Sequence, residues 1–269
     1  MSNPPLPAEI LDHVVDHLHD MRDALKNCCL VSKSWIPRAR MHLFTDVMFY
    51  TIKLLQTWKE MFPDPSTSPA CYAKLLFVGN SEAVTVADAE AGGWITGFSR
   101  VVRLVVGSAH DESKSPFVPF HGLSPVLKSL SVFTPTLPPS PTLSLILSFP
   151  LLEDLSVIRS RDAPIDDGDG SDGLLATAQP LNSPTFTGTL GLRLGRGIEH
   201  FVHRLLFLPG GIHFRELTLT WIHEGDHLLT MALVEGCSHT LRSLEISYQL
   251  RGTSVRHLRL HQHLIFASR

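Results

Sequence analysis

The stretch "LEDLSV", Leu152 to Val157, states a pattern that returns along most of this 269-residue chain. Apolar residues stand at its first, fourth and sixth places, with polar ones between. Alternation over the last three places suits a short strand that buries one face. The same spacing occurs earlier as Phe44-x-x-Val47-x-Phe49, Tyr72-x-x-Leu75-x-Phe77, Val101-x-x-Leu104-x-Val106 and Leu127-x-x-Leu130-x-Val132. Later come Thr189-x-x-Leu192-x-Leu194, with a polar first residue, then Phe214-x-x-Leu217-x-Leu219 and Leu241-x-x-Leu244-x-Ile246. The central residues are 47, 75, 104, 130, 155, 192, 217 and 244, so the steps are 28, 29, 26, 25, 37, 25 and 27.

A near-constant period in the twenties, built on a short alternating strand, is the signature of leucine-rich repeats. The fold class expected is α/β: a solenoid of short parallel strands alternating with helices over residues 47–269. These repeats are irregular, because the Asn or Cys that usually follows the repeat strand is missing. Helical patterns lie between strands, as in Ile52, Leu55, Trp58 and Phe62. In "DHLLTMALVEGCS" (Asp226 to Ser238), Leu228, Leu229, Ala232 and Leu233 share a face and Gly236 stands near the stop. The step of 37 holds Arg161 to Pro184, rich in Asp, Gly, Ser and Pro, and reads as a flexible loop. "TPTLPPSPTLS" (Thr134 to Ser144) reads as a proline-rich turn between strand and helix. After the last strand no clear polar cap follows, although repeat arrays need shielded ends. A truncated member of its family is the expectation.

Working back to the N-terminus, "LPAEILDHVVDHLHDMRDALKNCCLVSKSWIPRARMHLF" (Leu6 to Phe44) carries a different signal. Ile10, Leu11, Val14, Val15 and Leu18 form one wide helical face. Pro7 suits the first turn and Glu9 the positive end of the helix dipole. Asp20 is placed to cap a second helix that buries Leu25, Cys28 and Cys29. Ser34 is placed to cap a third, with Pro37 in its first turn and Leu43-Phe44 closing it. About forty residues are too few for a robust core, so this unit should lean on its neighbour.

The order Leu6-Pro7-x-Glu9-Ile10-Leu11, Val14, Leu18, Leu25, "CCLVSKSW" (Cys28 to Trp35), Leu43-Phe44 resembles an F-box. The wording "LKNCCLVSKSWIPRAR" is similar to F-box proteins abundant in mushroom-forming fungi. The likeness covers about residues 4–46, and Ser32 stands where the family often has Cys. What the resemblance implies is docking onto the Skp-type adaptor of a cullin–RING ubiquitin ligase. Amphipathic helices offered to a partner groove are a common mode of recognition. For adaptor contact the expected residues are Leu6, Pro7, Ile10, Leu11, Val14, Leu18, Leu25, Val31 and Trp35, some of which must form the unit's own core.

The composition is that of an ordinary globular protein, 43% hydrophobic and 18% charged. The net charge of -3 offers no footprint for nucleic acid. No signal peptide or membrane-length apolar run is visible. Cys28, Cys29, Cys71 and Cys237 have no disulfide-like spacing, which fits a reducing cytoplasm or nucleus. Motifs for chemistry fail on inspection. His13 and His17 lie at i, i+4, but Val14 stands where a zincin needs Glu. "DDGDGSDG" has Asp172 where a calcium loop needs Gly, and Ala178 where it needs the bidentate acid. "GLRLGRG" (Gly191 to Gly197) lacks both a third glycine and a phosphate-loop lysine.

No enzyme, metal or cofactor is therefore expected. The expected role is a substrate receptor of an SCF-type ubiquitin ligase, with an unknown protein as target. The runner-up is an adaptor-bound scaffold without a degraded target, or a non-functional relic. On the open strand face, Lys128, Ser129, Ser131, Arg215, Glu216, Thr218, Thr220 and Trp221 are the candidates for target contact. Trp221 is the most interesting, since tryptophan beside a repeat strand is a typical hot-spot residue.

Overall fold

The computed structural model describes residues 7–79, 81, 84–85, 88, 93–107, 117–121, 123–134, 139–159, 184, 186–193, 199–208, 210–222, 227–249 and 255–261. Among them, eight strands run parallel and lie side by side in chain order: β1 (Asp46–Phe49), β2 (Leu75–Val78), β3 (Arg103–Gly107), β4 (Ser129–Thr134), β5 (Asp154–Arg159), β6 (Thr189–Arg193), β7 (Glu216–Ile222) and β8 (Ser243–Gln249). A ninth, β9 (Val255–His261), turns back and pairs antiparallel with β8. No strand was expected there. Its register places Leu258 and Leu260 opposite Ile246 and Leu244.

The apolar position of each repeat lines up across the sheet. Val47, Leu76, Leu104, Leu130, Leu155, Leu190, Leu217 and Leu244 stand in one register row, and all are buried. Two expected centres move. In β2, Leu76 and Val78 face the core while Leu75 and Phe77 are only half-buried, a slip of one residue that reverses the two faces. In β6 the aligned residue is Leu190, two places before Leu192, so the inward face is unchanged.

Each strand is entered through a shared carbonyl. Thr45 O accepts the N–H groups of Lys74 and Leu75 (2.8 and 3.1 Å), and Lys74 O those of Val102 and Arg103 (2.8 and 2.9 Å). Val102 O, Lys128 O, Gly188 O and Arg215 O each serve the next strand in the same way. The exception falls at the long step. Glu153 O takes only Gly188 N–H (3.1 Å), and the Asp154 carboxylate accepts from Thr189 N–H instead (2.7 Å). A buried backbone donor must find an acceptor, and here a side chain replaces the missing carbonyl contact.

Four helices follow strands: α4 (Ile52–Met61), α5 (Pro139–Leu147), α6 (Glu199–Leu206) and α7 (His227–Gly236), numbered after three at the N-terminus. Thr51 caps α4 by accepting from Leu54 N–H. Half of the expected proline-rich turn is α5, because Pro139 and Pro141 occupy a first turn whose N–H groups need no partner. In α7 the expected apolar face is rotated. Leu233 and Thr230 are buried, whereas Leu228 is 81% exposed. The loop expected at 161–184 lies almost wholly outside the described residues.

One hydrophobic cluster runs from Val47 to Ile246 between strands and helices. Its first part is aromatic. Phe49, Trp58, Trp94 and Phe98 pack ring against ring at centroid distances of 5.5 to 6.5 Å. Edge and tilted contacts of this kind suit the ring quadrupoles.

The N-terminal helices are α1 (Ala8–His17), α2 (Arg22–Val31) and α3 (Ile36–Leu43). They hold a separate core of Val15, Leu25, Cys28 and Ala39, flanked by Leu18, Cys29, Trp35 and Leu43. Neither expected cap forms. Met21 and Trp35 stand at the N-caps of α2 and α3 without side-chain hydrogen bonds. Ser34 instead bonds Ser32 through its hydroxyl (2.9 Å). Among the described residues, no helix is long and apolar enough to cross a membrane.

Candidate functional site

The three short helices cannot enclose all their apolar residues, and exposure sorts the candidates. Leu25 is fully enclosed, so it holds the unit together and cannot touch a partner. Leu18 and Trp35 pack half-buried against that core, and Leu11 is half-buried. Ile10, Val14 and Val31 stay 48%, 44% and 68% exposed. Pro7 is exposed at the N-cap of α1, its carbonyl accepting from Ile10 and Leu11 N–H. Leu6 lies outside the described residues. Sequence reasoning missed Leu30, which is 84% exposed beside Val31.

A polar clamp holds α1 against α3. Asp16 accepts from Arg38 Nε and Nη2 (2.5 and 2.6 Å) and contacts His42 Nε2 (2.8 Å). Hydrogen bonds from Arg38 and His42 outweigh partial burial and hold the Asp16 carboxyl well below the usual carboxylate range. The guanidinium of Arg38 is raised in turn by the same bond. A bidentate fork of this kind fixes orientation as well as distance.

The second surface is the strand face turned away from the helices. Its register rows place the expected target residues. Ser131 lies in one row with Ser156, Gly191 and Thr218, so Ser131 and Thr218 are three strands apart, and both are half-buried. Lys128 precedes β4 and binds Glu153 Oε1 (2.8 Å). Arg215 is exposed before β7, and Glu216 Oε2 accepts from Thr189 Oγ1 (3.3 Å). Ser129 and Thr220 are half-buried on the same face. Trp221 falls at the register irregularity of β7, and its side chain lies outside the described residues.

These residues are not brought into one group, and the more distinctive part of the face went unread. Across β1 to β4 the outward side chains include Met48, Phe77, Val105 and Phe133, with Tyr50 just past β1. Tyr50, Met48 and Phe133 are 62%, 39% and 37% exposed. The rings of Tyr50 and Phe77 lie 4.9 Å apart, and the Tyr50 hydroxyl donates to Met48 Sδ (2.8 Å). A signal existed in the sequence, but the expected register of β2, one residue out, put Phe77 inward.

Among the described residues, no three His, Cys, Asp or Glu side chains converge as metal ligands. His13 and His17 are exposed on α1. The acidic stretch weighed as a calcium loop lies outside the described residues. The arrangement leaves two groups of exposed apolar side chains, one on helices and one on a sheet. Comparison with known proteins returns nothing: no protein-family model, curated protein or solved structure matches this chain.

Proposed function

We propose that this protein is a non-catalytic substrate receptor of an SCF-type cullin–RING ubiquitin ligase. The fold behind the reading is an N-terminal F-box followed by an irregular leucine-rich-repeat solenoid. The helices hold a Skp-type adaptor and the strand face holds a target protein. The receptor contributes effective concentration and orientation, and the bond-making chemistry belongs to other subunits. The observation that carries this is the exposure of Ile10, Val14, Leu30 and Val31 on helices that already own a core. Apolar side chains left outside a filled core mark an interaction site. The F-box-like order from Leu6 to Phe44 suggests the adaptor class, and the register row of apolar residues supports the solenoid.

Capture of a recombinant Skp-type adaptor tests it, with the variants Val14→Asp and Val31→Asp beside the parent. Both sites are in solvent, so the fold should survive. Losing a central anchor costs ~2 kcal/mol or more, so capture should weaken roughly thirtyfold. No capture by the folded parent would overturn the assignment.

A further inference from the structure

The open strand face divides into halves of different chemistry. From β1 to β3 the row through Phe77 carries Met48, Phe77 and Val105; in the next outward row Tyr50 lies just past β1, and Phe133 and Ile158 face out from β4 and β5 beyond Gly107. From β4 onward the row through Phe77 reads Ser131, Ser156, Gly191, Thr218 and Glu245. Sheet faces meant only for water do not gather aromatic rings at one end.

A second observation lies at the margin of the apolar half. Lys74 and Arg103 are exposed where β2 and β3 begin, tied to each other by Arg103 N–H to Lys74 O (2.9 Å). Among the described residues neither has an ion-pair partner, in contrast to Lys128, which Glu153 neutralises. Arg103 lies in register with Leu75, one outward row before Phe77 and Val105. That row spacing is about 7 Å, two residues of an extended chain. The exposed acid at β1, Asp46, lies in register with Leu75, one strand from Lys74 without pairing it, and two strands, about 10 Å, from Arg103.

Resting on the receptor reading above, we infer that this half-face docks an extended target segment in which large apolar side chains are followed directly by carboxylates. The rings of Tyr50, Phe77 and Phe133 take the apolar side chains. Lys74 and Arg103 take the carboxylates, which supply the counter-charge these cations lack. A second copy is the poorer occupant, because the same half-face would bring two cations and, among its described residues, a single exposed acid, Asp46.

The probes are a fluorescein-labelled peptide with Trp-Leu-Phe followed by Asp-Glu-Asp, and its counterpart ending in Lys-Lys-Lys. Anisotropy on the full chain should show the acidic peptide bound at least about tenfold tighter at low salt. Reversing both cations (Lys74→Glu with Arg103→Glu) should invert that preference. Tyr50→Ala, at a solvent-exposed site, should weaken both peptides by about tenfold. Equal affinity for the two peptides overturns the inference. So does a concentration-dependent dimer that Tyr50→Ala abolishes, since the face would then belong to a second copy. Failure of both peptides on protein that still captures the adaptor sinks the inference and leaves the receptor reading intact. Acidic-peptide binding without adaptor capture supports the inference and removes the ligase.

Discussion

A methyl group placed at Gly107 would stand 2.7 Å from the carbonyl oxygen of Gly79, where two neighbouring strands end side by side. Backbone on the other side cannot step away, so Gly107→Ala should cost ~1–3 kcal/mol. Gly191→Ala is the internal control. Its nearest neighbour is the Ser156 hydroxyl at 3.3 Å, which can rotate, so relief of chain entropy should offset the contact. Urea melts of the two variants give the comparison, and equal loss would refute the backbone argument. Cys237 makes a second point at this scale. Burial pushes its thiol up from 9.0 to about 11, against a backbone hydrogen bond at Phe214 that lowers it. A thiol kept neutral by the fold stabilises it below the unfolded pKa, and that contribution disappears as pH rises from 9.0 through about 11. Thiol titration of the native protein should miss Cys237 at pH values where the unfolded chain reacts in full. Stability measured across the same window should fall.

At the scale of elements, the sequence was most readable where polar and apolar residues alternate. β5 reads Asp154-Leu155-Ser156-Val157-Ile158-Arg159, and its inward Leu155 and Val157 were assigned correctly, though buried Arg159 was not foreseen. β2 is Leu75-Leu76-Phe77-Val78, apolar throughout. Periodicity cannot choose a face in such a run, and only pairing with β1 and β3 does so. The helix starts were misread for another reason. Polar residues near Met21 and Trp35 invited caps, but packing of Leu25 and Ala39 set where α2 and α3 begin. That core is small enough to test directly. Leu25→Ala should cost ~2–5 kcal/mol and open α1–α3 to protease while the sheet stays protected. The clamp on Asp16 predicts a pH response with a definite sign. A carboxylate with a lowered pKa stabilises the fold above the ordinary carboxylate range. Its contribution is lost as pH falls through the depressed value. Amide exchange in α1 should therefore stay slow at mildly acid pH and quicken only in stronger acid. Asp16→Asn should remove that dependence, and an unchanged profile would refute the clamp.

Across the whole molecule, two cores meet at two adjacent residues. Leu43 packs on the helical core, and Phe44 packs on the sheet core. The Phe44 ring lies edge-on to Trp58 at 5.9 Å and to Phe62 at 6.5 Å. The closing Leu-Phe pair of the opening stretch was legible in the sequence. Its division between two cores was not, because nothing local distinguishes which way each side chain turns. The outward aromatic half-face was illegible for a similar reason, since it is assembled from four strands spaced across the chain. The junction has a consequence for stability. Repeat arrays couple through nearest-neighbour interfaces, so a unit joined by little more than Phe44 and the contact of α3 with the turn at Pro69–Tyr72 can melt by itself once that junction is weakened. Phe44→Ala should cost roughly 2 kcal/mol, less than the 3–5 of a fully buried ring. More telling, calorimetry should then resolve two transitions, with α1–α3 melting first and the cluster from Val47 to Ile246 later. A single transition in the variant, shifted but undivided, would mean that the contact of α3 with Pro69–Tyr72 is enough to fasten the helical unit. Adaptor capture by the same variant separates the proposed docking role of the opening stretch from its packing role. Retained capture with lost coupling would show that the helices grip a partner as an independent unit.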